Sequence, residues 1–297
     1  MTYQEFKKNI LHSISVRLGS GYRIDIQDII KNNDTHLDGL TILSENSNVS
    51  PTIYLNYYYE QFLSNPSFSS IVDDILDSYH KHAPKENIDI RFFTDFDKIK
   101  NRIVFKLVNY ERNQELLSKV PHFKYLDLAL VFNCFVEATS CGCATVLIHH
   151  HHLSFWNISS EELYSLALKN TPRLLPYQIQ DMTEIVSDLF DDSISDVFNE
   201  SFSPSPMYVL SNITKINGSG CILYEDILLN IAEKIGSDFY IIPSSIHEVL
   251  LIPTTYAASY EALCNMVQEI NASQLTREEV LSDKVYYYSR ILNKITM

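Results

Sequence analysis

The chain has 297 residues, 45% hydrophobic and 20% charged, a composition typical of a folded protein large enough for two or three domains. Acidic residues outnumber basic residues by 37 to 23, and the formal charge of −14 repels nucleic-acid phosphates and anionic membranes, so we expect neither as a partner. No run of about 20 apolar residues could span a membrane, and residues 1–18 lack the features of a secretory signal, so we expect a cytoplasmic protein.

Residues 1–94 predict an N-terminal unit made of a meander plus helices. The spacing of apolar residues gives its elements in chain order: a helix over 3–18, strands over 22–26, 40–42 and 52–55, and a helix over 67–79. Gly19 favours the end of the first helix, Asp38-Gly39 is typical of a turn, and Pro84 ends the last helix.

Residues 95–190 predict a central α/β unit. Its elements are a strand over 103–108, a short helix over 111–118, a long strand over 123–136, a strand over 144–148, and a helix that begins at 159–162. Pro121 ends the short helix, and Asn170-Thr171-Pro172 predicts the end of the later one, because proline removes a helical hydrogen bond.

Residues 191–206 are poor in apolar side chains and end in Ser203-Pro204-Ser205-Pro206, which is typical of a linker. We therefore expect a separate C-terminal α+β domain over 207–297. Its elements follow the order ββαββαβ: strands over 207–210 and 221–224, a helix over 226–235, strands over 239–242 and 249–252, a helix over 256–270 and a strand over 284–288. The whole chain is predicted to be an α+β protein with mixed small sheets and packed helices.

Several phrases run from the first strands to the last: Leu37–Ile42, Ser50–Asn56, Arg102–Tyr110 with Asn113, Asn170–Pro176, Met207–Asn212, Pro243–Val249, Val280–Asp283 and Val285–Tyr288. Together they resemble one uncharacterised bacterial family, the domain of unknown function 5688 family, over nearly the whole chain. The resemblance implies no activity, substrate or catalytic residue. The family typically has His, two variable residues and His where this chain has four histidines, so only His149 and His152 match.

The connection between the two central strands of the C-terminal domain carries the side chains of nucleophilic and acid–base catalysis. In a hydrolase, Ser244 or Ser245 would attack and His247 would take the proton. Glu248 or Asp238 would then orient the imidazole. No glycine flanks the serines to make a sharp nucleophile turn, and a polar loop between two strands is also an ordinary structural connection.

A second candidate site consists of Cys141, Cys143, His149 and His152, because thiolate and imidazole are the ligands of zinc. The Cys-x-Cys spacing is tighter than is usual for zinc, no second pair follows, and neighbouring histidines at a strand end would point to opposite faces. We therefore predict no bound metal and no cofactor, and keep metal binding as an alternative.

The leading hypothesis is a cytosolic, non-enzymatic binding or regulatory protein that acts through a protein partner. Its 19 tyrosines and its excess of acidic residues supply a contact surface, since tyrosine offers amphipathic area at low entropic cost. The first alternative is a hydrolase that uses the 244–248 loop, and the second is a metal-binding protein.

Overall fold

The computed structural model describes residues 1–83, 91–139, 142–189 and 206–297. Contacts divide the chain into two units, the first comprising Met1–Lys31 and Thr35–Arg91 and the second comprising Asn32–Asp34 and Phe92–Met297. Both units contain helices and antiparallel strands, so the predicted α+β class is confirmed. Within the described ranges, no helix combines the length and the apolar composition needed to cross a bilayer.

The elements of the first unit are α1 (Tyr3–Leu18), β1 (Tyr22–Ile30), β2 (His36–Ser44), β3 (Thr52–Tyr54), α2 (Leu55–Ser64) and α3 (Phe68–His82). The strands form an antiparallel sheet in the order β1-β2-β3. Phe6, Ile10 and Ile14 recur every four residues on α1 and are fully buried, so the helix presents one apolar stripe. This stripe packs in one core with Leu40 and Ile42 of β2.

The turn predicted at Asp38-Gly39 is wrong, because both residues lie inside β2. A Cβ on Gly39 would lie 2.6 Å from Thr52 Cγ2 and 2.8 Å from Ile29 Cγ1, so the glycine serves close strand packing. The chain reverses instead at Asn32–Asp34, a short 3₁₀ turn.

The elements of the second unit, apart from short 3₁₀ turns, are α4 (Arg91–Thr94), α5 (Phe96–Ile99), β4 (Ile103–Asn109), α6 (Gln114–Lys119), β5 (His122–Tyr125), β6 (Leu128–Thr139), β7 (Gly142–Leu147), α7 (His150–Trp156), α8 (Ser160–Leu174), β8 (Tyr177–Asp181), α9 (Met182–Leu189), β9 (Tyr208–Asn212), α10 (Ile227–Ile235), β10 (Phe239–Ile242), β11 (Val249–Pro253), α11 (Tyr260–Ser273), β12 (Tyr286–Ser289) and β13 (Lys294–Thr296). In the smaller sheet, β6 pairs with β4, β5 and β7. The larger sheet is antiparallel in the order β13-β12-β10-β11-β9-β8.

The two sheets of the second unit bury side chains in one shared core. Phe105 and Phe132 come from the smaller sheet, and Phe239 and Tyr286 come from the larger one. The opposite face of the larger sheet is covered by α11. We call this opposite face the outer face of the larger sheet.

The domain boundaries predicted after residues 94 and 190 stay predictions. The division between the contact units falls at residues 91–92. The predicted linker over 191–206 lies outside the described residues except for Pro206.

Several segments of the second unit differ from the predictions. The long strand predicted over 123–136 is two strands, β5 and β6, which pair with each other. Residues 221–224, predicted as a strand, lie in or beside a 3₁₀ helix, Gly218–Leu223, and the additional strand β13 follows β12. The helix α8 continues through Pro172 to Leu174. A proline in the last turn removes only one helical hydrogen bond, and the Thr171 hydroxyl donates to the Ala167 carbonyl at 2.6 Å.

Candidate functional site

The polar loop between β10 and β11 is held along both sides. On one side, Pro243, Ser244 and Ile246 form backbone hydrogen bonds of 2.9–3.1 Å with the segment 279–282. On the other side, Ser219 donates to the Ile246 carbonyl through its N–H at 3.2 Å and its hydroxyl at 2.8 Å. These hydrogen bonds attach the backbone of the loop to both neighbouring segments.

Gly218 allows the 3₁₀ helix to approach this loop closely. A Cβ on Gly218 would lie 2.1 Å from Ser211 Oγ and 2.5 Å from the carbonyl oxygen of His247. These two atoms already form a hydrogen bond of 2.8 Å, in which the hydroxyl donates. Any larger residue at position 218 would therefore displace the candidate loop from β9.

The structure brings Ser245 and His247 together through the backbone. Ser245 is 8% exposed, and its Oγ accepts a hydrogen bond of 3.0 Å from the His247 N–H. The His247 Nδ1 accepts a hydrogen bond of 3.3 Å from the Asn217 N–H, which places the proton of the neutral imidazole on Nε2. Among the hydrogen bonds of the described residues, none joins the hydroxyl of Ser244 or Ser245 to this imidazole. Their assignment to catalysis stays a prediction.

A carboxylate that sequence reasoning missed, Glu279, lies near His247. Hydrogen bonds from the Thr276 hydroxyl and backbone lower the pKa of Glu279, and the nearby His247 lowers it further. Glu248 instead lines a cavity on the outer face of the sheet, and Asp238 binds the turn that follows β12. The signal for Glu279 was absent from the local sequence, because it reaches the loop from a segment that comes after α11.

The histidine run lies at the start of α7, and the prediction of a strand end there is wrong. The Nδ1 of His152 accepts a hydrogen bond of 3.0 Å from the His149 N–H. The His152 ring stacks on Trp156 and meets the edge of Phe93, with centroid distances of 5.4 and 5.0 Å. Burial, with the neighbouring His151 and His149, lowers the pKa of His152 to about 4. His152 is therefore neutral at pH 7 and packs as an aromatic residue.

The described residues include only part of the candidate metal site at Cys141, Cys143, His149 and His152. Cys141 and the side chain of Cys143 lie outside the described residues. In the part of the chain that the structure describes, no three His, Cys, Asp or Glu side chains are grouped as metal ligands. Metal binding stays an alternative prediction.

A cavity of about 150 Å³ lies on the outer face of the larger sheet, where β8, β9 and β11 run side by side. Gln178 of β8 is directly opposite Ser211 of β9, and the pairing of Val249 with Leu210 places Glu248 on the other side of Ser211. Three polar residues thus form one row across the sheet. Sequence reasoning missed this cavity, since its members come from three distant segments.

The cavity also has a charged rim and an apolar wall. Gln180 lies two residues after Gln178 on the same face of β8, and Lys215 follows β9. Met182 and Ile185 from the start of α9, together with Val209, supply the apolar wall. The alternation of glutamines at 178 and 180 is the only local sequence signal for this surface.

A family model described as a family of unknown function (DUF5688) matches residues 3–290, so the chain belongs to that family. No curated protein matches the chain. No solved structure matches it either.

Proposed function

We propose that this member of a family of unknown function is a cytosolic, non-enzymatic binding or regulatory protein that acts through a protein partner. The partner would contact one end of the larger sheet, where Tyr256, Ile291 and Leu292 are exposed by 58%, 85% and 70% of their surfaces. We call these three residues the sheet-end patch. The exposure of two consecutive aliphatic side chains is the observation that carries the proposal.

Strand pairing gathers the sheet-end patch at one end of the sheet. Phe239, the first residue of β10, pairs with Pro253, the last of β11, and with Tyr288 near the end of β12. Tyr256 follows β11, and the turn over 290–293 follows β12. The three exposed side chains therefore belong to loops at the same end of the sheet.

The turn that presents Ile291 and Leu292 is held by Asp238. Its carboxylate accepts hydrogen bonds from the Arg290 N–H at 3.1 Å and the Tyr287 hydroxyl at 2.6 Å. The Tyr287 hydroxyl bond is the main reason why the pKa of Asp238 is lowered, so this acceptor is charged at pH 7. Scattered exposed aliphatic residues are common, but a turn fixed in this way loses little entropy when a partner covers it.

The charge of the chain supports a proposal about the chemistry of the partner. A formal charge of −14 favours a partner whose apolar pocket is rimmed by basic residues. The aliphatic pair would fill the pocket and Tyr256 would lie at its edge. Full burial of a single Ile or Leu side chain contributes roughly 1.5–3 kcal/mol to association.

The test compares the wild-type chain with the double variant Ile291→Ser/Leu292→Ser. Val16→Ser/Leu63→Ser is the matched control, because Val16 and Leu63 are exposed by 69% and 62%. Proteins retained from an extract of the encoding organism are identified, and the retained protein is then purified for calorimetry. We expect the first double variant to bind it about 100-fold more weakly, which corresponds to about 3 kcal/mol, with an unchanged melting temperature.

The control pair should leave this affinity unchanged. The proposal is overturned if every retained protein binds the Ile291→Ser/Leu292→Ser variant as tightly as the wild type. Light scattering tests whether the partner is a second copy of this chain. If the wild type forms dimers and the Ile291→Ser/Leu292→Ser variant does not, the partner is a second copy and the proposal is contradicted.

The hydrolase alternative rests on Ser244, Ser245, His247 and Glu248, and it stays a separate prediction. The backbone-to-hydroxyl bond between His247 and Ser245 supports a structural role for the loop. Binding is therefore the function that we propose first.

A further inference from the structure

The cavity on the outer face of the larger sheet has polar groups that the fold does not use. Gln178, Gln180, Lys215 and Glu248 line it, and none of these side chains has a hydrogen-bond or ion-pair partner among the described residues. The Ser211 hydroxyl donates its proton to the His247 carbonyl, so it can serve a ligand only as an acceptor. The cavity thus offers two carboxamides, one cation and one anion to a ligand.

The turn that carries Lys215 is fixed by Asn212. The Asn212 side chain accepts from the Thr214 N–H at 3.0 Å and hydroxyl at 2.7 Å, and it donates to the Ile216 carbonyl at 2.9 Å. Lys215 itself has a φ of 55°, a left-handed conformation that is strained for a residue other than glycine. Such strain persists only where the surroundings determine the conformation, so the backbone of Lys215 is held at the rim.

The opposite charges of Lys215 and Glu248 favour a ligand that carries both a negative and a positive group. An ammonium group would pair with Glu248, and a carboxylate would pair with Lys215. Both glutamines can donate to and accept from the polar part of the ligand, while Met182 and Ile185 contact its apolar part. The volume of about 150 Å³ admits a molecule of on the order of five to ten non-hydrogen atoms.

We propose that this cavity binds a small zwitterion of the free α-amino acid class. The inference is independent of the sheet-end patch, because it rests on the residues of the outer face alone. Charge complementarity selects the ligand, and the short apolar wall limits the size of its side chain.

The test is calorimetric titration of the full chain with each of the 20 free L-α-amino acids. We expect at least one to bind with a Kd below about 1 mM. Lys215→Met and Glu248→Gln should each weaken this binding about 10- to 100-fold, as expected for the loss of one charge-assisted hydrogen bond. Lys234→Met and Glu225→Gln are the charge-matched controls, since both residues are exposed away from the cavity lining.

Derivatives of the bound amino acid then assign each charge. The amide of the amino acid lacks the carboxylate, so it should bind the Lys215→Met variant as tightly as it binds the wild type. The N-acetyl derivative lacks the ammonium group, so it should bind the Glu248→Gln variant as tightly as it binds the wild type. The proposal is overturned if no amino acid binds below about 1 mM, or if the control variants weaken binding as much as the cavity variants. Equal binding of wild type and both cavity variants would also overturn it.

Discussion

Protonation of His152 is expected to destabilise the fold in acid, with the sign set by its lowered pKa. The unfolded chain takes up this proton near pH 6.5, whereas the folded chain does so only near pH 4. The stabilising contribution is therefore complete above about pH 6.5 and is lost as the pH falls from there to about 4. Protonated Nδ1 cannot accept the hydrogen bond that the His149 N–H donates to it.

The size of this loss follows from the gap between the two pKa values. At 1.36 kcal/mol per pH unit, the gap between 6.5 and about 4 corresponds to at most about 3 kcal/mol. The ring is partly exposed, so solvent screening reduces the expected loss to roughly 1–2 kcal/mol.

The assay measures the free energy of unfolding in urea at pH 7.5 and pH 4.5 for wild type and His152→Phe. Phenylalanine keeps an aromatic ring beside Trp156 but cannot titrate. We expect the wild type to lose roughly 1–2 kcal/mol more than the variant between these pH values. His12→Asn, a substitution of an exposed histidine, should keep the pH dependence of wild type.

Trp156 is the only tryptophan in the chain, so its emission reports on this cluster directly. Its intensity should change with a midpoint near pH 4 in wild type and stay constant over that range in His152→Phe. A midpoint near 6.5, or the same loss of stability in both proteins, would refute the reasoning.

Gly218→Ala should cost about 3 kcal/mol in urea unfolding, because the new Cβ would meet Ser211 Oγ and the His247 carbonyl, whereas Gly21→Ala should have little effect since nothing lies within 4 Å. His247→Ala should lower stability by roughly 1–3 kcal/mol, and neither Ser244 nor Ser245 should react with a fluorophosphonate probe; stoichiometric labelling that vanishes in His247→Ala would favour the hydrolase. Protein purified without a metal-affinity step should contain well under one equivalent of zinc, and a chelator should not lower its melting temperature; stoichiometric zinc with chelator-induced unfolding would contradict this. Limited proteolysis should cut first in the predicted linker over 191–206, and first cleavage elsewhere would show that the predicted domain boundary is wrong.

The elements with strong periodicity could be predicted from the sequence, and those set by close packing could not. The buried positions 6, 10 and 14 repeat at helical spacing, and α1 follows from that pattern. Asp38-Gly39 has the composition of a turn, yet Gly39 is selected by the side chains of Thr52 and Ile29, which approach from neighbouring strands. Tertiary contacts of this kind leave no local pattern in the sequence.

The candidate sites show the same division. The 244–248 loop is visible in the sequence because polar residues interrupt two apolar runs, but the partners that fix its side chains come from the segments around Asn217 and Glu279. The cavity depends on strand register, which brings Gln178 and Glu248 to either side of Ser211. Register over such sequence distances cannot be derived from periodicity alone.

Two of the phrases that carry the family resemblance contain a buried asparagine with a structural contact. Asn109 donates to the Leu281 carbonyl at 3.0 Å, and Asn170 donates to the Ile103 carbonyl at 3.1 Å. Each side-chain amide donates a hydrogen bond to a backbone carbonyl. Leaving such a carbonyl buried without a partner would cost roughly 1–3 kcal/mol of stability. In these two phrases the asparagine therefore has a structural role.

The residues proposed here to meet ligands lie largely outside those phrases. Gln178, Lys215, Ile291 and Leu292 belong to none of them, whereas Glu248 sits within the 243–249 phrase. The first four have side chains without a partner in the described part of the chain, so changing them should leave the fold intact. A loss of binding in these variants can then be attributed to the missing contact itself, because the backbone that positions each side chain is held by other residues, Asp238 at the sheet-end patch and Asn212 at the cavity.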